Sequence, residues 1–145
     1  MSTPADLAAN KAIVHRLVDE VLNGGHLDVI DDLYTPDQAA AAREWITPFR
    51  ASFPDVHMDA VELLAEGDIV IGRFTCTATH TGTWLGHRPT GRRFVAVDEV
   101  NRYRIRDGRI AESWALEDNL DRLSQLGLLP TSPGPDQQIT RDATP

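Results

Sequence analysis

The run ESWALED, Glu112 to Asp118, sets two carboxylates beside a tryptophan and a leucine. In an extended chain alternate residues share a face, so Glu112, Trp114, Leu116 and Asp118 project together. A buried face does not hold unpaired acids, and a wet face has little use for Trp114 and Leu116. The pattern leaves open whether this face is the wall of a ligand pocket, in which Asp118 is a candidate general acid/base. An aspartate titrates near ~3.9, so at neutral pH it can accept a proton from a carbon activated by two carbonyls. Holding it half protonated at pH 7 requires a shift of roughly 3 units, about 4 kcal/mol, which only a dry pocket supplies. The competing use of Asp118 is an N-cap for a helix over 119–126.

His80 ends the inward stripe of a long strand and is a second catalytic candidate. It could donate to a substrate carbonyl or share a proton with Asp118, or it could simply bond to a nearby carbonyl. Asn101 falls in register with Val97, Glu99, Tyr103 and Ile105, and an inward amide can hold an enolate or carbonyl oxygen. A bulge would exchange the two faces. Glu99 and Glu112 are further acids. If both joined Asp118, one of the three would keep its proton; otherwise an arginine such as Arg73 or Arg102 pairs with one of them. Phe74, Trp114 and Leu116 offer apolar contact to a flat ligand, with core packing the alternative for Phe74. Trp84 sits in a loop able to cover a pocket mouth, and Tyr34 is a candidate hydrogen-bond donor.

Other chemistries lack their residues. His15, His26, His57, His80 and His87 show no paired metal-ligand spacing. Gly82, Gly86 and Gly91 lack the lysine and hydroxyl of a phosphate loop, and there is no Gly-x-Ser-x-Gly elbow. Cys76 lies in mid-strand among core-like residues.

The elements that must position these groups fall into two halves. Thr3 caps and Pro4 opens a first helix with Leu7, Ile13, Val14, Leu17, Val18, Val21 and Leu22 at helical spacing, ended by Asn23-Gly24-Gly25. A short helix covers Leu27 to Leu33. A third runs from Asp37 towards Ser52, where Pro48 is expected to kink or divide it. The second half has strand periodicity: a loose alternation over 56–65, a turn at Glu66-Gly67-Asp68, then DIVIGRFTCTATHTG. On that strand Val70, Gly72, Phe74, Cys76, Ala78 and His80 share one face. Another strand spans about Phe94 to Ile105, Asp107-Gly108 turns the chain, and a last strand leads into ESWALED. Leu120, Leu123 and Leu126 suggest a short amphipathic turn. Helices first and a strand meander second give an α+β fold.

With 145 residues, 41% hydrophobic and 25% charged, the chain fits one domain over residues 1–129, followed by an unpatterned tail over 130–145. A formal net charge of -8 argues against nucleic-acid and anionic-membrane partners. No apolar run reaches the length of a membrane span. The polar N-terminus MSTPADLAANK and the single Cys76 point to a cytoplasmic location.

Several short runs appear in a telling order: Asn23-Gly24, Phe53-Pro54-Asp55, Glu66-Gly67-Asp68, Thr79-His80-Thr81-Gly82, Pro89-Thr90-Gly91-Arg92, Asp107-Gly108-Arg109-Ile110, Glu112-x-Trp114-x-x-x-Asp118 and Gln125-Leu126-Gly127. Together they resemble the SnoaL-like polyketide cyclases of the nuclear-transport-factor-two-like superfamily, over roughly residues 10 to 127. The resemblance implies a cone-shaped, curved antiparallel sheet wrapped around N-terminal helices, with an apolar pocket inside. It also implies a homodimer with no metal and no cofactor, and an aldol-type ring closure on a polyketide-like small molecule. It carries the catalytic carboxylate onto Asp118. Opening of an epoxide and a non-catalytic small-molecule binding module are the alternatives. The chain departs from the family between Leu33 and Trp45, where a pocket-wall segment is shorter, so either Tyr34 or a dimer partner closes that wall or the pocket is unusually open.

Overall fold

The computed structural model describes residues 2–129; the tail expected over 130–145 lies outside the described residues. Helix α1, Pro4–Arg16, starts on a capping box in which Thr3 Oγ1 accepts from the Asp6 backbone and Asp6 accepts from Thr3 N–H. It continues without a stop into a π-helical segment, Leu17–Asn23, whose Leu17, Val18, Val21 and Leu22 are buried. A turn at Leu27–Val29 leads to α2, Ile30–Leu33, and then to α3, Pro36–Ser52. Helix α3 keeps its helical assignment through Pro48, so the expected division does not occur. Only the helix end follows Pro48, so little structure depends on the turn whose hydrogen bond it removes.

The strands β1 His57–Glu66, β2 Ile69–Thr79, β3 Arg93–Arg106 and β4 Arg109–Glu117 form one curved antiparallel sheet in the order β1-β2-β3-β4. Asp107 and Gly108 both take positive φ, 50° and 74°, as a two-residue hairpin of this hand requires. The predicted inward stripe of β2 is buried throughout, from Val70 to His80. Helix α4, Asn119–Gln125, closes the chain against β3. The α+β class holds, with helices lying on the concave side of an open sheet.

Bulges decide what the concave side sees. In β1 the register shifts between Ala60 and Glu62, which keeps Met58, Ala60, Leu63 and Ala65 on the inner face opposite Cys76, Phe74, Gly72 and Val70. That extra residue explains the loose alternation of 56–65. In β3 the shift precedes Val97, so Val97, Glu99, Asn101, Tyr103 and Ile105 stay in phase and are all buried. In β4 Ile105 pairs with Ile110 but Arg104 pairs with Glu112, leaving Ala111 as the additional residue.

That single residue turns the ESWALED face over, because side chains alternate with a period of two. Glu112, Trp114 and Leu116 pair with Arg104, Arg102 and Val100 on the convex side, while Ser113, Ala115 and Glu117 face inward beside Tyr103, Asn101 and Glu99. The expectation that Trp114 and Leu116 line the dry wall is therefore corrected: they are 54% and 61% exposed. Glu112 is a structural acid paired with arginine, though with neither Arg73 nor Arg102: it accepts from Arg104 Nε at 3.0 Å, with Arg106 at 3.5 Å.

Candidate active site

The concave side holds two adjoining cavities of about 300 and 430 Å³ that share Trp45 and Glu117 in their walls. Trp45 comes from α3, so this helix, together with Tyr34, contributes to the wall beside the shortened segment. Tyr34 is buried at the end of α2, held there by a bridge to Ile110 and by Thr35 N–H donating to Ile110 O at 3.0 Å. It lines the smaller cavity together with Met58, Asn101 and Tyr103.

At the junction of the cavities lies a buried ion-paired cluster. Arg122 Nη2 donates to Glu99 Oε1 at 2.8 Å, and Arg122 Nη1 donates to Glu117 Oε2 at 2.6 Å and to Asn119 Oδ1 at 2.5 Å. Arg122 is fully buried, and its guanidinium carbon stands 4.9 Å from the Phe94 ring centroid and 5.8 Å from those of Phe49 and Trp84. Such aromatic packing excludes water from a charged group that needs strong partners to be buried. Burial, then the neighbouring Glu117 carboxylate, pushes Glu99 up to about 7 against the pull of Arg122. Burial alone would weaken Arg122's hold on its proton, but Glu117 and Glu99 outweigh it and keep the guanidinium charged.

One polar atom without a partner lies in the wall of the smaller cavity. Asn101 is 6% exposed, faces the smaller cavity, and its Oδ1 has no hydrogen-bond partner. A buried orphan acceptor of this kind is costly unless a ligand or water completes it. Burial holds the phenols of Tyr34 and Tyr103 above their ordinary range, so both are neutral donors at physiological pH.

The remaining predicted residues lie elsewhere. Asp118 is exposed and is the N-cap of α4, accepting from Asp121 N–H at 3.0 Å. It borders a hollow of about 320 Å³ on the sheet rim, which it shares with Asp98, Glu99, Val100, Leu116 and Glu117. His80 is buried outside both cavities, its ring 5.4 Å from that of Phe53, with Nδ1 accepting the Thr90 N–H at 3.2 Å. Burial keeps it below the ordinary histidine range, so it is neutral and bonded locally. Phe74 is core and lines neither cavity. Trp114, despite its exposure, reaches the rim of the smaller cavity, and Trp84 covers the larger one.

Glu117, Arg122 and Trp45 escaped the sequence reading. Arg122 carried one faint signal, since it follows the capping Asp118 by four residues and so stands one helical turn above it. Leu120, counted with the apolar positions of that helix, is 70% exposed, and Arg122 takes the inward place instead. Glu117 gave no signal, because its face depends on the bulge at Ala111.

Comparison with known proteins agrees with this architecture. A family model described as SnoaL-like polyketide cyclase matches residues 12–126. The aklanonic acid methyl ester cyclase DnrD of Streptomyces peucetius is 32% identical over 108 residues, covering 74% of this chain and 72% of that protein. The structure of AclR from Streptomyces galilaeus superposes with a TM-score of 0.76 at 31% identity, covering 88% of this chain and 90% of that one. TsrD from Streptomyces laurentii gives a TM-score of 0.73 at 26% identity, covering 84% and 97%. The chain belongs to the SnoaL-like polyketide cyclase family.

Proposed function

We propose that this protein closes a ring on a polyketide-type substrate by acid/base chemistry, with Glu117 as base and Glu99 as acid. The observation that carries the reading is the Glu99–Arg122–Glu117 cluster at the junction of two largely apolar cavities. A buried carboxyl that holds its proton, set beside a more exposed one, divides naturally with it into acid and base. Glu117, about a third exposed, meets a ligand in either cavity, while Glu99 is 4% exposed and keeps its proton near neutrality.

In the aldol reading, Glu117 removes a proton from carbon lying between two carbonyls. The carbanion forms a carbon–carbon bond to a ketone carbon, and Glu99 protonates the developing alkoxide. Tyr34 or Tyr103 donates to the enolate oxygen, where a placed donor stabilises developing charge, and Asn101 orients a substrate hydroxyl through its free acceptor. Glu117 then returns its proton to Glu99 through water. No cofactor enters this sequence. The same acid/base pair also suits opening of an epoxide, where a protonated carboxyl faces an ionised one.

The test uses aklanonic acid methyl ester, the compound named for the relatives, with chromatography to follow its ring-closed isomer. The wild type is expected to convert it and Glu117→Gln to lose at least ~10²-fold in kcat, within the usual range for general acid–base groups. Equal rates in the two proteins would reject the assignment. Conversion of an epoxide probe with no closure of the ester would move the reading to epoxide opening.

The homodimer expected from the family resemblance finds support on the convex face. Leu64, Ile71 and, across Arg102, Trp114 lie in one row of the sheet and Val100 and Leu116 in the next, each of these five apolar residues at least 40% exposed. Exposed apolar side chains in adjoining rows, with Arg102 and Arg73 among them, suit contact with a second copy. It also gives Leu116 a role that neither cavity does.

A further inference from the structure

Resting on the reading above, we propose that Arg122 is a positioning residue for the acid pair: its guanidinium fork holds Glu99 and Glu117 at fixed spacing and leaves them one proton to share. Nη2 serves Glu99 and Nη1 serves Glu117, so the fork spans two carboxylates rather than gripping one. Its Nε has no partner, which leaves that edge of the group unused. A planar, rigid fork fixes both acids at once, which a lysine ammonium on a flexible stem does not.

The charge balance follows from burial. One cation between two carboxylates leaves an excess negative charge in a region walled by Phe49, Trp84 and Phe94. Excess buried charge is costly, and two coupled carboxyls relieve it by retaining one proton between them. The other groups facing the pair do not cancel the charge. The Cys76 thiol on β2 is pushed up to about 12 and stays neutral. Tyr103 on β3 and Tyr34 beyond α2 are neutral phenols. Asn101 and Asn119 are amides, Glu44 in the wall of the larger cavity is a further carboxyl, and among the described residues no cationic side chain lines either cavity.

Arg122 keeps its place because α4 is pinned at both ends. Asp118 caps it and donates its own N–H to Asp98 O at 2.9 Å. Gln125 accepts from Val95 N–H at 2.8 Å and donates to Val95 O at 3.1 Å, beside the β3 bulge. Buried Leu126 completes the anchor. On this view Asp118 serves the site through Arg122, one helical turn away.

The experiment is a substrate-free titration of the full chain carrying carbon-13 at its glutamate carboxyls, with the Glu99 signal assigned by its loss in Glu99→Gln. In the wild type, Glu99 is expected to titrate near neutrality. Arg122→Gln keeps a donor but removes the cation, and should tighten proton binding at Glu99 at least tenfold. Glu117→Gln removes the competing carboxylate and should loosen it at least tenfold. The second variant is nearly isosteric, so the test survives if the first does not fold. A Glu99 midpoint unmoved in Glu117→Gln overturns the proposal. Midpoints that move as expected while Glu117→Gln still closes the ring would sustain the shared proton and reject the catalytic reading. Static midpoints with an inactive Glu117→Gln would do the reverse.

Discussion

Replacing Glu99 by glutamine should change how stability depends on pH, and the size of the change follows from the site. Glu99 moves from an ordinary 4.5 to about 7 on folding. A carboxyl raised in this way stabilises the fold below its unfolded value, and that contribution is lost as pH rises through its folded value. A displacement from 4.5 to about 7, at about 1.4 kcal/mol per pH unit, amounts to roughly 3 kcal/mol. Glutamine copies the protonated shape and can still accept from Arg122, but it cannot titrate. Urea unfolding of both proteins between pH 4 and pH 8, compared at each pH, should therefore show the wild type losing up to about 3 kcal/mol relative to Glu99→Gln. Asp6, Asp31, Asp37, Asp55 and Asp68 are lowered in the fold, so their stabilisation is lost only as pH falls below the ordinary aspartate range, outside most of this window. His80 titrates in both proteins and cancels from the difference. A difference that stays flat from pH 4 to pH 8 would refute the claim that Glu99 holds its proton in the fold.

Asp118→Ala should cost about 1 kcal/mol in thermal unfolding by removing the α4 cap, whereas Asp118→Asn should be near neutral. If Asp118→Asn instead abolished ring closure with the fold intact, the base would be Asp118 and not Glu117. Leu116→Arg, on the exposed convex row, should shift the sedimentation of the protein towards a monomer without changing its circular dichroism; unchanged sedimentation would remove this face as the dimer contact. Deleting Ala111 should be far more damaging than its small side chain suggests. It would drive Glu117 outward and Leu116 and Trp114 inward, and a deletion variant with native-like melting would contradict the bulge assignment.

Much of the scaffold could be read from residue order because local rules sufficed. The Thr3 cap, the Asp107-Gly108 turn and the inward stripe of β2 depend on neighbours within a few positions. The set containing Glu99 and Asn101 was in phase for the same reason, since the β3 bulge precedes Val97. The face of ESWALED was a different case. A strand alternates with a strict period of two, so one unpaired residue at Ala111, invisible without the partner strand, inverted every side chain after it. Composition drew attention to the right strand and the wrong face. Arg122 was equally illegible, because a basic residue on a short helix normally points to water. Here Gln125 and Asp118 turn that helix so the guanidinium enters the core. The sequence by itself determined the α+β order, the turns and the presence of acids near a prospective pocket. Only the tertiary structure decided which acids meet there, because that depends on cross-strand register and on one buried cation drawn between them.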